Sequence, residues 1–511
     1  MTNPKKPGKV RVVFDCAAKY AGKSLNDHLY TGPDIVNSLL GVLFRFRQDH
    51  VAIVGDVEMM YLRIKVYPED EKFLRILWWT GGDLDKKPET YSMTSQIFGA
   101  ASSGFNATLG LRACADDGIG TFDADVIRSV HRNFYVDDYL MSVSDVPTAK
   151  SYIDQLQRLL NAGGFRLHKW MSTERDVLES IQSSERAGTV KEITDDTTLP
   201  CERALGVIWN VERDGFVIDV DLKAKAADLP VTKRTILSVA ATLFDPLGFV
   251  APVTLMPKLM MQELCRQHLD WDDEAPDNIQ EEWRNWLNEL PALKNIYVPR
   301  CFKPAKLRYG FATELHHFCD ASEKGYGAVM YLKITDKDGR IRISFVMGKS
   351  RLAPLKSMTI PRLELCGAVL ATRLHEVFVR ETDLKIDKIF FWCDSMTVLG
   401  YIRNTTSRYK SFVANRLAVI HDLSEAHHWH HIEGISNPAD LASRGCSAGD
   451  EELLKLWLEG PKFLTDAKYP QTGAALHDQA DSEDVDKMAS VMTLAVSDDH
   501  FVDVLIRRCG S

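Results

Sequence analysis

Short strand-like runs that end in an acidic residue recur along the chain. The run VAIVG precedes Asp56, the run LHHFC precedes Asp320, and the run IFFWC precedes Asp394. Short apolar runs of this kind are typical of buried strands. Because the acid follows the last residue of each run, we expect these three carboxylates to lie at sheet edges.

Two further segments show the pattern of antiparallel strands. Phe134–Met141 is a hydrophobic run that Asp137 and Asp138 interrupt, which predicts a hairpin with both acids at its turn. Residues 315–346 alternate apolar and polar positions around a turn, which predicts an antiparallel meander.

Helical spacing of apolar residues occurs elsewhere in the chain. Residues 278–290 predict a helix that Pro291 ends, and residues 360–370 predict a helix with a proline near its start. We predict surface loops at 184–200 and 272–278, and a linker or a poorly ordered tail from about residue 470.

Composition excludes several classes of protein. The chain has 511 residues, 45% of them hydrophobic and 26% charged, which indicates about three globular domains and excludes wholesale disorder. The net charge of −9 argues against a purely electrostatic nucleic-acid coat, although a local basic groove stays open. The sequence offers neither a membrane-length apolar run nor a signal-peptide core. The ten isolated cysteines indicate reduced intracellular thiols.

The adjacent carboxylates of Asp137 and Asp138 repel each other unless a cation neutralises them. For this pair alone a simple turn is an adequate explanation, because Asp is common in turns. Together with the strand-terminal Asp56, the pair supplies the parts of a two-metal phosphoryl-transfer site, in which carboxylates hold two Mg²⁺ ions. We call Asp56, Asp137 and Asp138 the acid trio.

The acid trio and its flanking motifs resemble the palm of a reverse transcriptase, closely that of the BEL/Pao class of long-terminal-repeat retrotransposons. The resemblance implies that the trio is catalytic, that Tyr61 is the steric gate against a 2′-hydroxyl, and that Arg11 and Lys169 contact the triphosphate. The motifs that carry the resemblance are KVRVVFD at 9–15, FGAASSGFNA at 98–107, YVDD at 135–138, GGFRLHKW at 163–170 and LGVIWN at 205–210.

Each of these side chains also has a structural alternative. Arg11 would be a surface charge on an edge strand, Tyr61 a core residue, and Lys169 a solvated charge. The sequence departs from the family at Gly104, where the family usually has proline. The resemblance also implies that part of the family's fingers is missing before Lys9.

A second set of acids resembles the ribonuclease H domain. Asp320, Glu364, Asp394 and Asp440 match its four metal-binding carboxylates in order, as strand-end Asp, helix Glu, strand-end Asp and late helix Asp. The resemblance implies that these residues, which we call the acid quartet, hold two Mg²⁺ ions that activate water on the RNA strand of a hybrid. Ser322 and Ser395 are candidates for contacts with the hybrid backbone, with N-capping as the alternative.

Two competing functions find less support. The cluster His427–His431 suggests zinc, but alternate residues of a strand face opposite sides, so we predict a strand that borders the nuclease site. The segment 235–249 resembles the BEL/Pao joining region, part of which carries a retrotransposon peptidase name. A pepsin-like protease needs Asp-Ser/Thr-Gly, and the nearest match, Asp394-Ser395-Met396, lacks the glycine.

We therefore expect an α+β multi-domain fold: a right-hand polymerase with fingers and palm, a helical or mixed connection, and a ribonuclease H-like mixed sheet with helices. The expected domains are truncated fingers and palm at 1–215, a thumb- or connection-like segment at 216–310, a ribonuclease H-like domain at 311–450, and a post-nuclease segment with a partly disordered tail at 451–511.

The expected function is that of a retrotransposon RNA-directed DNA polymerase with ribonuclease H activity. The resemblance implies two Mg²⁺ ions per active site, with Mn²⁺ as an alternative. Expected partners are an RNA or DNA template-primer, an RNA–DNA hybrid and deoxynucleoside triphosphates, with no membrane. The expected location is a cytoplasmic retroelement particle or the nucleus. The alternatives are a polymerase-inactive remnant that only binds nucleic acid or protein, and a ribonuclease H alone.

Overall fold

The computed structural model of the chain describes residues 2–3, 6–10, 13–192, 198–220, 229–303, 311–404 and 406–466, with only the backbone described for 2–3 and 6–10. Arg11 and the predicted tail from about residue 470 lie outside these ranges. The described residues form several β-sheets with helices packed against them, so the fold is mixed α and β as expected.

The first large sheet is antiparallel and has the strand order β6-β7-β3-β8. Alternate residues of β3 face opposite sides: Val51 and Ile53 pack on one core with the helices α3 to α5, whereas Ala52 faces a second core. The elements of this region are β1 (Thr2–Asn3), β2 (Lys6–Val10), α1 (Leu39–Phe46), β3 (Val51–Val57), α2 (Met60–Arg63), β4 (Arg75–Trp78), β5 (Glu89–Ser92), α3 (Ser103–Asp117), α4 (Ala124–Arg132), β6 (Phe134–Tyr135), β7 (Asp138–Val143), α5 (Val146–Ala162), β8 (Leu167–Ser172) and α6 (Arg175–Glu179).

A second, smaller antiparallel sheet has the order β12-β11-β10-β9 and is followed along the chain by the third. The helix predicted at 278–290 is confirmed, but Pro291 does not end the helical conformation, because a 3-10 helix continues from Leu290 to Asn295. The elements are β9 (Cys201–Ala204), β10 (Val207–Asn210), β11 (Gly215–Val217), α7 (Lys233–Ala240), α8 (Ala251–Arg266), α9 (Asp277–Glu289) and β12 (Tyr297–Pro299).

The third sheet has the order β15-β14-β13-β16-β17. β15, β14 and β13 pair antiparallel, which confirms the predicted meander, whereas β13, β16 and β17 run parallel. The elements are β13 (Ala312–Ala321), β14 (Gly325–Thr335), β15 (Ile341–Leu352), α10 (Ile360–Glu381), β16 (Lys388–Cys393), α11 (Met396–Arg403), α12 (Ser411–Leu423), β17 (Trp429–His431), α13 (Ala439–Arg444) and α14 (Glu451–Glu459).

Helices α10 and α13 pack on opposite faces of the third sheet. Leu363 of α10 belongs to one apolar cluster with Ala321, whereas Ser443 of α13 donates to the side chain of the preceding residue, Asp320. Successive residues of a strand point to opposite faces, so the end of β13 lies between the two helices. The backbone of Asp320 approaches α10 closely, since a Cβ atom on Gly367 would lie 2.9 Å from its carbonyl oxygen.

Two buried arginines join the three sheets into one body. The Arg47 guanidinium donates to the carbonyl oxygens of Phe345 at 2.7 Å and Val346 at 3.1 Å, in the third sheet. The Arg300 guanidinium donates to the carbonyl oxygen of His50 at 2.7 Å and pairs with Asp214. Hydrogen bonds of buried arginines therefore link segments next to the first sheet to the third sheet. Of the helices in the described ranges, none combines the length and apolar character that crossing a bilayer requires.

Candidate active sites

The acid trio converges at one end of the first sheet. Asp56 on β3 lies directly opposite Asp138 on β7, and Asp137 belongs to the two-residue turn between β6 and β7. The Asp137 carbonyl oxygen accepts from the Val57 N–H at 2.8 Å, which ties the turn to the end of β3. Burial, with the charges of Asp137 and Asp56, raises the pKa of Asp138 to about 6.

The turn that presents Asp137 is strained. Tyr135 pairs with Asp138, which leaves Val136 and Asp137 as the turn residues, and Val136 has a φ of 56°. A positive φ is unfavourable for a β-branched residue, and the surrounding structure must hold it in place. The predicted hairpin is therefore confirmed, with the strain at the residue before the two acids.

Asp56 is held by two cationic or polar side chains from β8. The Asp56 Oδ1 atom accepts from Lys169 Nζ at 2.8 Å and lies 2.8 Å from His168 Nε2. The predicted triphosphate contact of Lys169 stays a prediction. The sequence analysis missed the contact of His168 with Asp56. The available signal was the position of His168 next to Lys169 in the motif GGFRLHKW.

Tyr61 lies beside the trio. Its ring centroid is 4.5 Å from that of Phe98, in the predicted nucleotide-positioning segment. Burial and the Asp137 charge both raise the pKa of Tyr61. The next residue of this segment, Gly99, has a φ of 105°, and a Cβ atom there would lie 2.1 Å from the Phe14 carbonyl oxygen. Only glycine fits this close approach.

Two members of the acid quartet lie side by side at the ends of parallel strands. Cys319 pairs with Cys393, so Asp320 and Asp394 follow at adjacent positions on β13 and after β16. Asp320 is only 5% exposed, and Ser443 Oγ donates to its Oδ2 at 2.5 Å. Burial, with the charges of Asp394 and Asp440, raises the pKa of Asp320 to about 7, while Ser443 and Arg444 oppose the shift.

The other two members of the quartet come from helices on opposite faces. Glu364 of α10 accepts a short hydrogen bond from Ser395 Oγ, and burial and the Asp394 charge raise its pKa. Asp440 of α13 pairs with Arg444 Nε at 2.5 Å. Ser443 and Arg444 were missed by the sequence analysis, although both follow Asp440 within one turn of helix.

The chemistry of the quartet fits a divalent cation. The Asp394 Oδ1 atom is buried and has no hydrogen-bond partner. Burial raises the pKa of both Asp320 and Asp394, and the Asp440 charge adds to the rise at each of them. A hard cation would satisfy this oxygen and neutralise the repulsion. In the described ranges, no three or more His, Cys, Asp or Glu side chains form a cage that could hold a metal ion. Mg²⁺ commonly uses one or two carboxylates with water and substrate phosphates, so it does not need such a cage.

Ser395 and Ser322, which lie beside the acids, form hydrogen bonds with other groups of the protein. Ser395 Oγ accepts from the Val398 N–H at 3.3 Å and caps α11, the alternative considered for it. Ser322 Oγ donates to the Ser443 carbonyl oxygen at 2.8 Å. Contacts of either serine with a nucleic acid stay a prediction.

The histidine cluster is strand only in part. Trp429–His431 forms β17 and pairs with β16, whereas His427 and His428 belong to a 3-10 helix that precedes it. His427 contacts Glu425, and His428 accepts from the Glu425 N–H. The prediction of one strand over the whole cluster was therefore wrong at its start.

Comparison with known proteins supports a retroelement assignment. Residues 232–395 match the family model of the Pao retrotransposon-like RNaseH-like domain, which includes the first three acids of the quartet. No curated protein sequence matches the chain significantly.

Among solved structures, a foamy viral protease-reverse transcriptase dRH in complex with double-stranded DNA matches 84% of this chain and 64% of its own, with a TM-score of 0.52 and 13% identity. The chain thus spans less than two thirds of that protein, and the likeness concerns the fold. The foamy viral protease-reverse transcriptase in complex with an RNA/DNA hybrid matches 78% of this chain and 46% of its own, with a TM-score of 0.45 and 12% identity.

Proposed function

We propose that this chain, which carries a Pao-class retroelement region by its match over residues 232–395, is an RNA-directed DNA polymerase with ribonuclease H activity. The observation that carries the proposal is the placement of Asp320 and Asp394 directly after the paired residues Cys319 and Cys393 of two parallel strands, with a buried Asp394 oxygen that has no partner. Such a centre is unfavourable in the absence of a cation.

In the proposed nuclease centre, the acid quartet would hold Mg²⁺. The metal would supply an activated water and stabilise charge on the scissile phosphate. Ser443 orients Asp320 by its hydrogen bond, and Ser395 orients Glu364. Arg444 holds Asp440, so each acid except Asp394 has a positioning partner on the protein.

In the proposed polymerase centre, the acid trio would hold Mg²⁺, which would stabilise negative charge on the reacting phosphate. Tyr61 would lie under the sugar and exclude a 2′-hydroxyl. Lys169 would exchange its contact with Asp56 for the triphosphate, and Arg11 would provide a further phosphate contact. Burial and the charges of Asp137 and Asp56 raise the pKa of Asp138, and a bound cation would offset this rise because it favours the ionised carboxylate.

The proposed partners follow from these two centres. They are an RNA or DNA template-primer, deoxynucleoside triphosphates and an RNA–DNA hybrid. Complexes with double-stranded DNA and an RNA/DNA hybrid are the subject of the foamy viral structures. We assign residues 1–215 to fingers and palm, 216–310 to the connection, 311–450 to the nuclease domain and 451–511 to the segment after it.

A ribonuclease H without polymerase activity is the second candidate. It is favoured by the contacts of the Asp56 Oδ1 atom, which accepts from Lys169 Nζ and lies 2.8 Å from His168 Nε2. Primer extension and hybrid cleavage by the same purified chain, each with Mg²⁺, separate the two candidates. Extension and cleavage together support the proposal, and cleavage alone supports the second candidate. The absence of both activities would contradict both candidates.

A further inference from the structure

An apolar groove lies where the second sheet meets the third, between β12, β15 and helix α14. Its volume is about 680 Å³. The apolar residues that line it, and that define what we call the junction groove, are Ile296, Val298, Ile343, Phe345, Leu454 and Leu458. The buried Arg47 belongs to the same lining. The junction groove therefore borders the contact that joins the end of α1 to β15.

The junction groove has an apolar floor and a charged rim. Four of its six apolar residues are buried, and the other two, Ile343 and Leu458, are half-buried. The exposed residues Glu451, Lys455 and Glu459 of α14 line the same groove. An apolar centre with a polar rim is typical of protein binding surfaces, and burial of apolar surface drives the binding. The floor therefore favours apolar side chains as its occupant.

The size of the groove selects among possible occupants. Its volume of about 680 Å³ lies within the range of roughly 300–1,000 Å³ that pockets for small ligands have. A stable interface between two protein chains buries about 800 Å² on each partner. The groove is thus suited to a few side chains of one chain segment and not to the face of a second copy.

The last described residues lead toward this groove. The centroid of the Phe463 ring lies 5.1 Å from that of Trp392 on β16. Three residues later, the Asp466 carbonyl oxygen lies 3.5 Å from Lys333 Nζ on β14. Because the strand order is β15-β14-β13-β16-β17, the chain crosses the third sheet in the direction of β15.

Lys333 relates Asp466, the last described residue, to the junction groove. Lys333 pairs with Ile343, so the two side chains lie on one face of the sheet and their backbones are about 5 Å apart. Ile343 is one of the residues that line the groove. Residues 467–511 therefore start next to the groove, on the face of the sheet that carries Ile343.

One run within residues 467–511 has the composition that the groove favours. Residues 488–497, MASVMTLAVS, contain no charged side chain. Acidic residues lie on both sides of this run, within 478–486 and at 498–499. The next apolar run, FVDVLI at 501–506, contains Asp503, whose charge would be costly to bury. The uncharged run at 488–497 is therefore the better occupant.

The chain between Asp466 and this run is long enough to reach the groove. Residue 488 follows Asp466 by 22 positions. A random-coil chain of that length has an r.m.s. end-to-end distance of roughly 25 Å. A short tether of this kind raises the local concentration of a segment to the millimolar range. A weak intrinsic affinity is then sufficient, which gives a segment of the same chain an advantage over a free partner.

We propose that residues 488–497 bind in the junction groove of the same chain, with their apolar side chains against β12, β15 and α14. The segment covers the second and third sheets beside Arg47 and strengthens the contact between them. The interaction is independent of the proposed polymerase and nuclease functions, because neither acidic centre takes part in it.

Photo-cross-linking of the full chain identifies the occupant directly. The variant Lys455→p-benzoylphenylalanine places a photoreactive group on the rim, at a side chain that is 70% exposed. We expect mass spectrometry after irradiation to show a cross-link to residues 488–497 within one chain. The matched control is Lys324→p-benzoylphenylalanine, at an exposed residue that precedes β14 at the end opposite to Lys333. No cross-link to residues 488–497 is expected from this position.

A variant of the segment tests the chemistry of the contact. V491S/M492S/L494S removes three apolar side chains and leaves the length and the charge of the segment unchanged. Because apolar burial drives the proposed binding, we expect the yield of the cross-link from position 455 to fall about fivefold or more.

Trypsin provides a measurement on the chain without a photoreactive group. Lys487 adjoins the segment, whereas Lys468 lies outside it and serves as the internal control. Proteolysis follows the population in which the cleavage site is open. We expect V491S/M492S/L494S to raise the rate of cleavage after Lys487 about fivefold or more, and to leave the rate after Lys468 unchanged.

Three results would overturn the proposal. One is a cross-link from position 455 that joins two chains, because a second copy would then be the occupant. Another is cross-linking from this position only to segments other than residues 488–497. The third is a rate of cleavage after Lys487 that V491S/M492S/L494S leaves unchanged, and this rate decides alone if the photoreactive variant does not fold.

Discussion

Arg47 and Arg300 are both fully buried, and the Arg47 Nε atom donates to the Arg300 carbonyl oxygen at 3.1 Å. Arg300 in turn donates to backbone oxygens of the segment that follows α1, at Asp49 and His50. The two guanidiniums thus bond to backbone that leads into β3 and to backbone of β15. They connect the strand that carries Asp56 to the sheet that carries Asp320.

Replacement of Arg47 by Met should strongly lower the stability of the chain. The substitution leaves carbonyl oxygens of Phe345, Val346 and Arg300 buried without donors, and removes the contact of the guanidinium with the Phe302 ring at 4.2 Å. We expect a loss of about 3 kcal/mol or more in the free energy of unfolding, measured with urea. The control is Arg340→Met, at a side chain that is 76% exposed, for which a change above about 0.5 kcal/mol is unexpected. Equal effects would contradict the structural role of Arg47.

Asp394→Asn should raise the thermal stability while it abolishes hybrid cleavage. The amide removes a charge that raises the pKa of Glu364 and Asp320, and it replaces a charged group by a neutral one at a position where Oδ1 is buried without a partner. We expect a gain of about 1 kcal/mol without divalent cations. The measurement is calorimetry in EDTA. A marked loss of stability would show that Asp394 holds the fold and would remove the argument from repulsion.

Asp320 should make the chain less stable as the pH rises. Its pKa is near 7 in the folded chain against an ordinary 3.8, so between these values the folded state binds more protons than the unfolded state. The free energy of unfolding therefore falls with rising pH, by at most about 1.4 kcal/mol per unit from this group. Urea titrations at pH 5 and pH 8 in EDTA should show a smaller fall in Asp320→Asn than in the wild type. Identical falls would contradict the raised pKa.

His375 should make the chain less stable as the pH falls, which is opposite to the effect of Asp320. Burial and the neighbouring His428 lower its pKa to about 4, and its Nδ1 atom lies 3.2 Å from His317 Nε2. The unfolded state binds the extra proton below pH 6.5, so stability present above that pH is lost as the pH falls toward 4, by up to about 3 kcal/mol. The His375→Gln variant should lose less stability between pH 7 and pH 4.5 than the wild type. If the variant lost as much stability as the wild type over this range, His375 would not be the source of the acid sensitivity.

Tyr61→Val should relax sugar selection if the polymerase function holds. The ring lies beside Phe98 and feels the Asp137 charge, so its removal opens space next to the acid trio. We expect ribonucleotide incorporation to rise about tenfold or more relative to deoxyribonucleotide incorporation in primer extension. Tyr30→Val is the control, because Tyr30 is 94% exposed. An unchanged ratio would favour the core-packing alternative for Tyr61.

The sequence predicted those parts of the fold that depend on local patterns. The apolar runs before Asp320 and Asp394 became β13 and β16, and the doublet at Asp137 became a hairpin turn. Period and turn chemistry are local properties, so a single sequence carries them. Dependence on local patterns also explains the error at His427, where the structure has a 3-10 helix and the sequence predicted a strand.

The contacts between distant segments were not predictable in this way. Nothing near Arg47 indicates that its guanidinium bonds to Phe345, nearly 300 positions later in the chain. The pairing of Ser443 with Asp320 and the close approach of Gly99 to Phe14 have the same origin. Such contacts depend on how whole sheets and helices pack, which local periodicity does not encode. The roles of the acids therefore had to come from a family resemblance.

The central claim is that two separate acidic centres perform two separate reactions, and crossed variants test it most directly. Asp138→Asn and Asp394→Asn should each be assayed for primer extension and for hybrid cleavage with Mg²⁺. The account predicts that Asp138→Asn cleaves but does not extend, and that Asp394→Asn extends but does not cleave. Retention of cleavage by Asp394→Asn, or loss of both activities in either folded variant, would contradict it.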